Sequence, residues 1–198
     1  MKSTITYYNE NACAFVASTA HVDFRSVQNE FLQLLPPKAL ILDFGCGSGR
    51  DTKYFLEQGF QVEAIDGSEE ICKLASEYTG IPVKNLLFQE LDETEKYDGI
   101  WACASILHLR KKELPGVFGK MRRAVKKGAV IYVSFKYGDY EGERNGRYFT
   151  DLTEESAKEL LCCVPELRVE KQWISGDVRV GRGEEKWLNM ILRRVDCK

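Results

Sequence analysis

Residues 41–51, Ile41-Leu42-Asp43-Phe44-Gly45-Cys46-Gly47-Ser48-Gly49-Arg50-Asp51, bring three glycines together with charged side chains. Without a Cβ, these glycines let the backbone come within contact distance of a ligand, and a helix starting at Arg50 offers free N–H groups to it. Asp66 follows about twenty residues later at the end of the next strand, where a carboxylate can take both hydroxyls of an adenosine ribose. Two nucleotide-type cofactors compete for such a loop. The dehydrogenase fingerprint G-x-G-x-x-G/A needs a small residue where the first helix packs on the sheet, and Arg50 stands there. Asp43 lies two residues before the first glycine, where a purely structural strand would carry an apolar residue. It can hold the loop and face an ammonium, directly or through water. Together Asp43 and Arg50 favour a cofactor with an amino-acid end over one with a pyrophosphate.

The elements that must position these residues follow from periodicity. A helical lead over about 5–34 precedes a short apolar strand at 39–42, the glycine turn, and a helix from Arg50 to Gln58. Gly59 suits the end of that helix, and 61–65 reads as the second strand. Ser68 can cap the next helix, whose Ile71, Leu74, Ala75 and Tyr78 fall at helical spacing; Glu69 and Glu70 suit its positive end, and Gly80 stops it. Strands near 86–88, 99–102 and 129–135 follow, the last two separated by a basic helical stretch over 111–125. Pro36-Pro37 and Pro82 fall between segments as breakers. Alternating strands and helices predict a Rossmann-like, doubly wound, mostly parallel sheet. Two strand-like runs at 167–174 and 186–194, joined by 175–185 without a helix, predict a C-terminal antiparallel hairpin and complete a seven-stranded sheet.

With 198 residues, 44% of them hydrophobic, the chain is sized for one domain. A formal charge of −2 argues against a general nucleic-acid binder. The start lacks the apolar run and cleavage site of a secretory signal, and no segment approaches a membrane span, so a cytoplasmic protein is expected. Seven scattered cysteines, Cys13, Cys46, Cys72, Cys103, Cys162, Cys163 and Cys197, include no Cys-x-x-Cys pair and have only two histidines beside them. Reduced thiols fit this pattern, and a metal site does not.

The run Asp43-Phe44-Gly45-Cys46-Gly47-Ser48-Gly49 resembles motif I of class I S-adenosylmethionine-dependent methyltransferases. Gly47-Ser48-Gly49-Arg50-Asp51, Asp66-Gly67-Ser68 and the run from Tyr97 to His108 resemble, more narrowly, the tellurite-resistance-type methyltransferases and their small relatives. The resemblance covers about Tyr7 to Arg194 and implies S-adenosylmethionine as cofactor. It places Gly45 and Gly47 along the methionine part, Asp66 at the ribose, Gly67 at the adenine edge and Arg50 at the methionine carboxylate. Many relatives carry an Asp for the adenine amino group where this chain offers Gln89 or Glu90. Ala102 to Ser105, including Cys103, would lie under the sulfonium. Tyr7 and Tyr8 would either close a lid, formed by residues 1–36, over the core of residues 37–198, with Tyr8 against the cofactor, or simply pack.

A sulfonium already activates its methyl group, so the protein needs mainly to align the reactants and exclude water, adding a base where the acceptor must lose a proton. His108, just after the fourth strand, is the candidate base; the alternative is a helix-start histidine bonded to backbone. The stretches 136–148 and 176–183 mix arginine, glycine and aromatic residues. If they fold over the same sheet edge, Arg147 and Arg179 would face a small anionic or zwitterionic acceptor; otherwise they are solvated surface. Trp173 and Trp187 are expected in the core. The leading expectation is methyl transfer to a small molecule. The alternatives are an RNA or protein methyltransferase and a noncatalytic sensor or subunit that binds the cofactor. Ala102-Cys103-Ala104-Ser105 lacks the Asn/Asp-Pro-Pro-Tyr element of amino-directed DNA methyltransferases, and the chain has no Pro-Cys nucleophile. Oligomeric state is not legible.

Overall fold

The computed structural model describes residues 2–179 and 181–196. The helical lead is three short helices, α1 (Lys2–Glu10), α2 (Ala12–Thr19) and α3 (Arg25–Leu32). Strands and helices then alternate as β1 (Leu40–Phe44), α4 (Arg50–Glu57), β2 (Gln61–Asp66), α5 (Glu69–Thr79), β3 (Val83–Asn85), β4 (Tyr97–Ala102), α6 (Leu114–Ala124) and β5 (Val125–Lys136). A small hairpin of β6 (Glu141–Arg144) and β7 (Arg147–Thr150) and the helix α7 (Glu154–Cys162) precede the terminal hairpin, β8 (Leu167–Gly176) and β9 (Lys186–Arg194).

Local chemistry accounts for most of these boundaries. Ser68 accepts the Ile71 N–H to cap α5, with Glu69 and Glu70 in its first turn and Gly80 at its end. The expected strand at 86–88 lies three residues earlier, at Val83–Asn85. Phe88–Glu90 is instead a 3-10 turn, because the Glu90 side chain accepts the Leu87 N–H and closes a tight cap. The stretch 136–148, expected as a loop, carries most of the small hairpin. Asn145 and Gly146 at its tip both adopt positive φ, 50° and 76°, the pair of conformations that a two-residue turn between twisted strands requires. The helix α7 was not expected either; Thr153 caps it by accepting the Ser156 N–H.

The seven-stranded sheet has the order β3-β2-β1-β4-β5-β9-β8. Strands β1 to β5 pair in parallel, β9 runs antiparallel to β5, and β8 antiparallel to β9. The chain winds outward from β1 to β3 and then returns to lay β4 on the other side of β1. The carboxyl ends of β1 and β4 therefore flank the point where strand order reverses, and that is where an open α/β sheet forms a crevice.

Strand alternation divides the core into two layers. Ile100 and Ala102 of β4, with Ile131, Val133 and Phe135 of β5, face α6 and α7, against Phe118, Met121 and Leu160. Trp101, Val130 and Tyr132 point the other way, toward Phe31 of α3 and Phe55 of α4. Trp101 stacks on Tyr132 with ring centroids 4.0 Å apart, and Phe31 packs on Trp101 at 5.1 Å. The six cysteines among the described residues are free thiols; Cys197 lies outside the described residues. None of the described helices is long and apolar enough to cross a membrane.

Phe31 is fully buried in the α3–α4 layer. Phe31→Ala is expected to lower the unfolding free energy by about 3–5 kcal/mol in urea titration, the usual cost of an aromatic-sized cavity.

Candidate active site

A deep cavity opens at the carboxyl edge of the sheet, at the reversal of strand order. The turns after β1, β2, β3 and β4 form its floor, α1 covers it, and the β6–β7 hairpin with the β8–β9 link forms its far wall.

The floor is built around the glycine turn. Gly45 has φ 87°, and a Cβ on it would lie 2.5 Å from the Ser105 Cβ, so no side chain fits between the turn and the segment after β4. The Gly45 and Cys46 N–H groups both bond the Ile65 carbonyl, tying the turn to β2. Asp66 ends β2 and accepts the Gly47 N–H on Oδ2 at 3.1 Å and the Ser68 N–H on Oδ1 at 2.9 Å. Each carboxylate oxygen keeps a lone pair for a further donor, as a vicinal diol supplies. Burial raises the Asp66 pKa, and the backbone N–H groups work against that rise. Ile5, Ile71, Leu87 and Phe88 give the neighbouring wall an apolar surface suited to a purine ring, and Gly67 lies against Leu87 and Ile5.

Arg50 lines the cavity, held from behind by a carboxylate that the sequence reading had not singled out. Asp51 accepts from Arg50 Nε at 2.7 Å and Nη2 at 2.9 Å, from Gln28 Nε2 at 2.7 Å and from Trp101 Nε1 at 2.8 Å. The guanidinium also packs on the Phe24 ring, 4.7 Å from its centroid. Burial opposes the Arg50 charge, yet the adjoining Asp51 carboxylate outweighs it and raises the pKa. Nη1 has no partner among the described residues and is free to meet a ligand carboxylate.

Four expected ligand contacts fall elsewhere. Asp43 shares the Ile41 face of β1, beneath α4, where its Oδ2 accepts the Thr52 hydroxyl at 2.6 Å. It is buried and absent from the cavity wall; burial and the Asp51 charge push its pKa up. Ala102 faces the α6–α7 layer, while Cys103, Ala104 and Ser105 reach the cavity. Glu90 caps the 3-10 turn, and Gln89 donates to Glu113; the wall at this point is Leu86, Leu87 and Phe88.

At the far end, His108 sits between a backbone carbonyl and a phenol. Its Nδ1 lies 2.7 Å from the Tyr148 carbonyl oxygen, which can only accept, so Nδ1 carries the proton. Nε2 is then the acceptor for the Tyr8 hydroxyl at 2.9 Å. Burial pushes the His108 pKa down to about 4, so the ring is neutral at pH 7, and burial likewise raises that of Tyr8. Both expected arginines line this end, in different states. Arg179 donates to Asp177 through Nε at 2.9 Å and through Nη2, so its charge is balanced within its own turn. Arg147 packs against the rings of Tyr7, Phe149 and Tyr8, and its Nη1 donates to the Tyr8 oxygen at 3.4 Å. Both tryptophans expected in the core pack against it, Trp187 on the α6–α7 side and Trp173 on the α3–α4 side; Trp187 also lines the cavity and donates to Asp177. Phe149, Lys136 and Asn189 also reach the wall without having been singled out; their place depends on the hairpins. Val180, inside the β8–β9 link, lies outside the described residues.

Comparison with known proteins agrees with this geometry. Residues 41–128 match the family described as a methyltransferase domain. A Bacillus subtilis (strain 168) protein described as a methyltransferase, YqeM, is 30% identical over 116 residues, 53% of this chain and 47% of that one. The chain thus spans about half the length of that relative. The Burkholderia thailandensis 1,6-didemethyltoxoflavin-N1-methyltransferase, solved with its substrate and S-adenosylhomocysteine, superposes with a TM-score of 0.76 at 23% identity, over 97% of this chain and 85% of that one. TehB from Haemophilus influenzae gives 0.71 at 17% identity, over 91% and 65%. Residues 41–128 thus match a methyltransferase domain, and the solved methyltransferases share the fold of the chain.

Proposed function

We propose that this protein transfers a methyl group from S-adenosylmethionine to a small-molecule acceptor. The observation that carries this reading is one continuous cavity that runs from Asp66 and the glycine turn to Tyr8, His108 and Arg147, roofed by α1. Asp66 would hold the ribose hydroxyls, with Ile5, Leu87 and Phe88 around the adenine. The turn backbone at Gly45 and Gly47, together with Arg50 Nη1, would hold the amino-acid end, beside Cys103. When bound, S-adenosylmethionine supplies a methyl group already activated by its sulfonium.

The remaining work is alignment, exclusion of water and disposal of a proton. Residues 1–36 act as the lid, because α1 places Thr4, Ile5 and Tyr8 in the cavity wall. That roof favours a compact acceptor over a polymer. The Tyr8 proton is committed to His108, so the phenol oxygen is left to accept. A proton leaving the acceptor would pass to the Tyr8 oxygen while the Tyr8 proton moves to His108 Nε2. His108 takes it readily only from a strongly acidic methylated group, because burial disfavours its charge.

Calorimetry is expected to show binding of S-adenosylmethionine and S-adenosylhomocysteine and none of NAD; the reverse would overturn the reading. Asp66→Ala is expected to weaken S-adenosylhomocysteine by about 1.5–3 kcal/mol, the scale of hydrogen bonds to a charged group, in a protein that still folds but melts lower because the Gly47 and Ser68 N–H groups lose their acceptor. Incubating the pure protein and labelled cofactor with a cell extract should yield a labelled small molecule by mass spectrometry; label in RNA or protein alone would exclude a small acceptor. In ¹⁵N NMR at pH 7, His108 should carry its proton on Nδ1 and titrate near pH 4. An imidazolium at pH 7 would remove it as proton acceptor.

A further inference from the structure

Five cationic side chains line the cavity, and four of them have carboxylate partners. Arg50 is paired with Asp51, Arg179 with Asp177, and Lys136 and Arg182 with Glu185. Arg147 forms no ion pair among the described residues. Among the described residues its Nε, like that of Arg144, is buried without a hydrogen-bond partner. The guanidinium carbon lies 4.7 Å from the Tyr7 ring centroid, 5.2 Å from that of Phe149 and 5.8 Å from that of Tyr8. Those rings attract the cation but bring no anion, and the acceptor they offer its N–H groups is the neutral Tyr8 hydroxyl, 3.4 Å from Nη1. The two arginines, opposite each other in the same hairpin, differ in charge balance, for Arg144 is neutralised by Asp151.

A guanidinium that is partly desolvated and left without an anion is a costly arrangement, and a ligand anion relieves it through charge-assisted, bidentate bonds. We infer that the acceptor is a small flat molecule carrying a carboxylate or comparable oxyanion, and that Arg147, whose charge has no carboxylate partner among the described residues, takes that charge. This rests on the methyltransferase reading, since it assigns the acceptor half of the same cavity. Flatness follows from the walls, where Tyr8, Phe149 and Trp187 present rings. Because Arg147 Nη1 and His108 Nε2 both bond the Tyr8 hydroxyl, an anion on Arg147 lies close to the group that accepts the proton. The oxyanion and the methylated atom are therefore only a few bonds apart.

The test uses benzoate and its neutral isostere benzamide as probes, titrated by NMR into the protein saturated with S-adenosylhomocysteine, which keeps the Arg50 end occupied. Wild type should bind benzoate roughly tenfold or more tighter than benzamide, and the preference should shrink as salt rises from about 50 to about 500 mM. Arg147→Gln should abolish the preference while leaving S-adenosylhomocysteine affinity and the thermal melt near wild type. Arg147→Lys, which keeps the charge but loses the planar fork, should fall between the two and serves if the glutamine variant does not fold. Equal binding of the two probes by wild type, or a preference that survives both substitutions, would overturn the assignment. Wild type that fails to bind S-adenosylhomocysteine would overturn the methyltransferase reading itself, and this assignment with it.

Discussion

The buried Asp51 carboxylate is the interaction on which most of the site's geometry depends. Taking a carboxylate out of water is costly unless hydrogen bonds replace its hydration, and here three side chains from three elements supply four donors. Gln28 fixes α3, Arg50 the first turn of α4, and Trp101 the end of β4. The polar path continues on this face. Trp101 stacks on Tyr132, whose hydroxyl donates to Asn189 at 2.7 Å, and Asn189 donates to Ser175 at 3.0 Å. One connected set of contacts thus runs from the glycine turn to the link that borders the far end of the cavity.

The cavity's two halves are built by different means. Its floor belongs to the parallel sheet: Gly45 is pressed against Ser105, and Asp66 holds Gly47. Its other half is latched. Thr4 accepts the Tyr148 N–H at 2.9 Å, Tyr8 bonds His108, and Ser3 donates to Glu143. Phe149 packs on the His108 ring from the hairpin side, so the imidazole is held by helix, hairpin and sheet edge at once.

The sheet and the floor were largely legible in the sequence because local signals specify them. Ser68 with its following acids and Gly80, the glycine turn, and Asp66 at a strand end each work within a few residues. Other signals were present but unread. Asn145-Gly146 is a strong hairpin turn, Glu90 lies three residues after Leu87 as a cap does, and Asp177 lies two residues before Arg179. Strand alternation would have put Asp43 on the Ile41 face and Ala102 on the Ile100 face, both away from the cavity. The pairing of Tyr8 with His108, and of Asp51 with Gln28 and Trp101, had no local signal. Those partners are 100, 23 and 50 residues apart, and only the tertiary fold brings them together.

The latch between α1 and the β6–β7 hairpin has a further consequence for how this molecule folds and diversifies. The Thr4–Tyr148 contact closes a loop of 144 residues, whereas neither α1 nor its hydrogen bonds belong to the two large apolar clusters. Such a contact gives little return until the sheet exists, so the roof is assembled late, and it can loosen in a local opening that leaves the core intact. Insertions and replacements in these two segments consequently bear on which molecule is admitted far more than on whether the chain folds. The division sets a stable sheet and cavity floor apart from a roof that can open and close over them without disturbing the core.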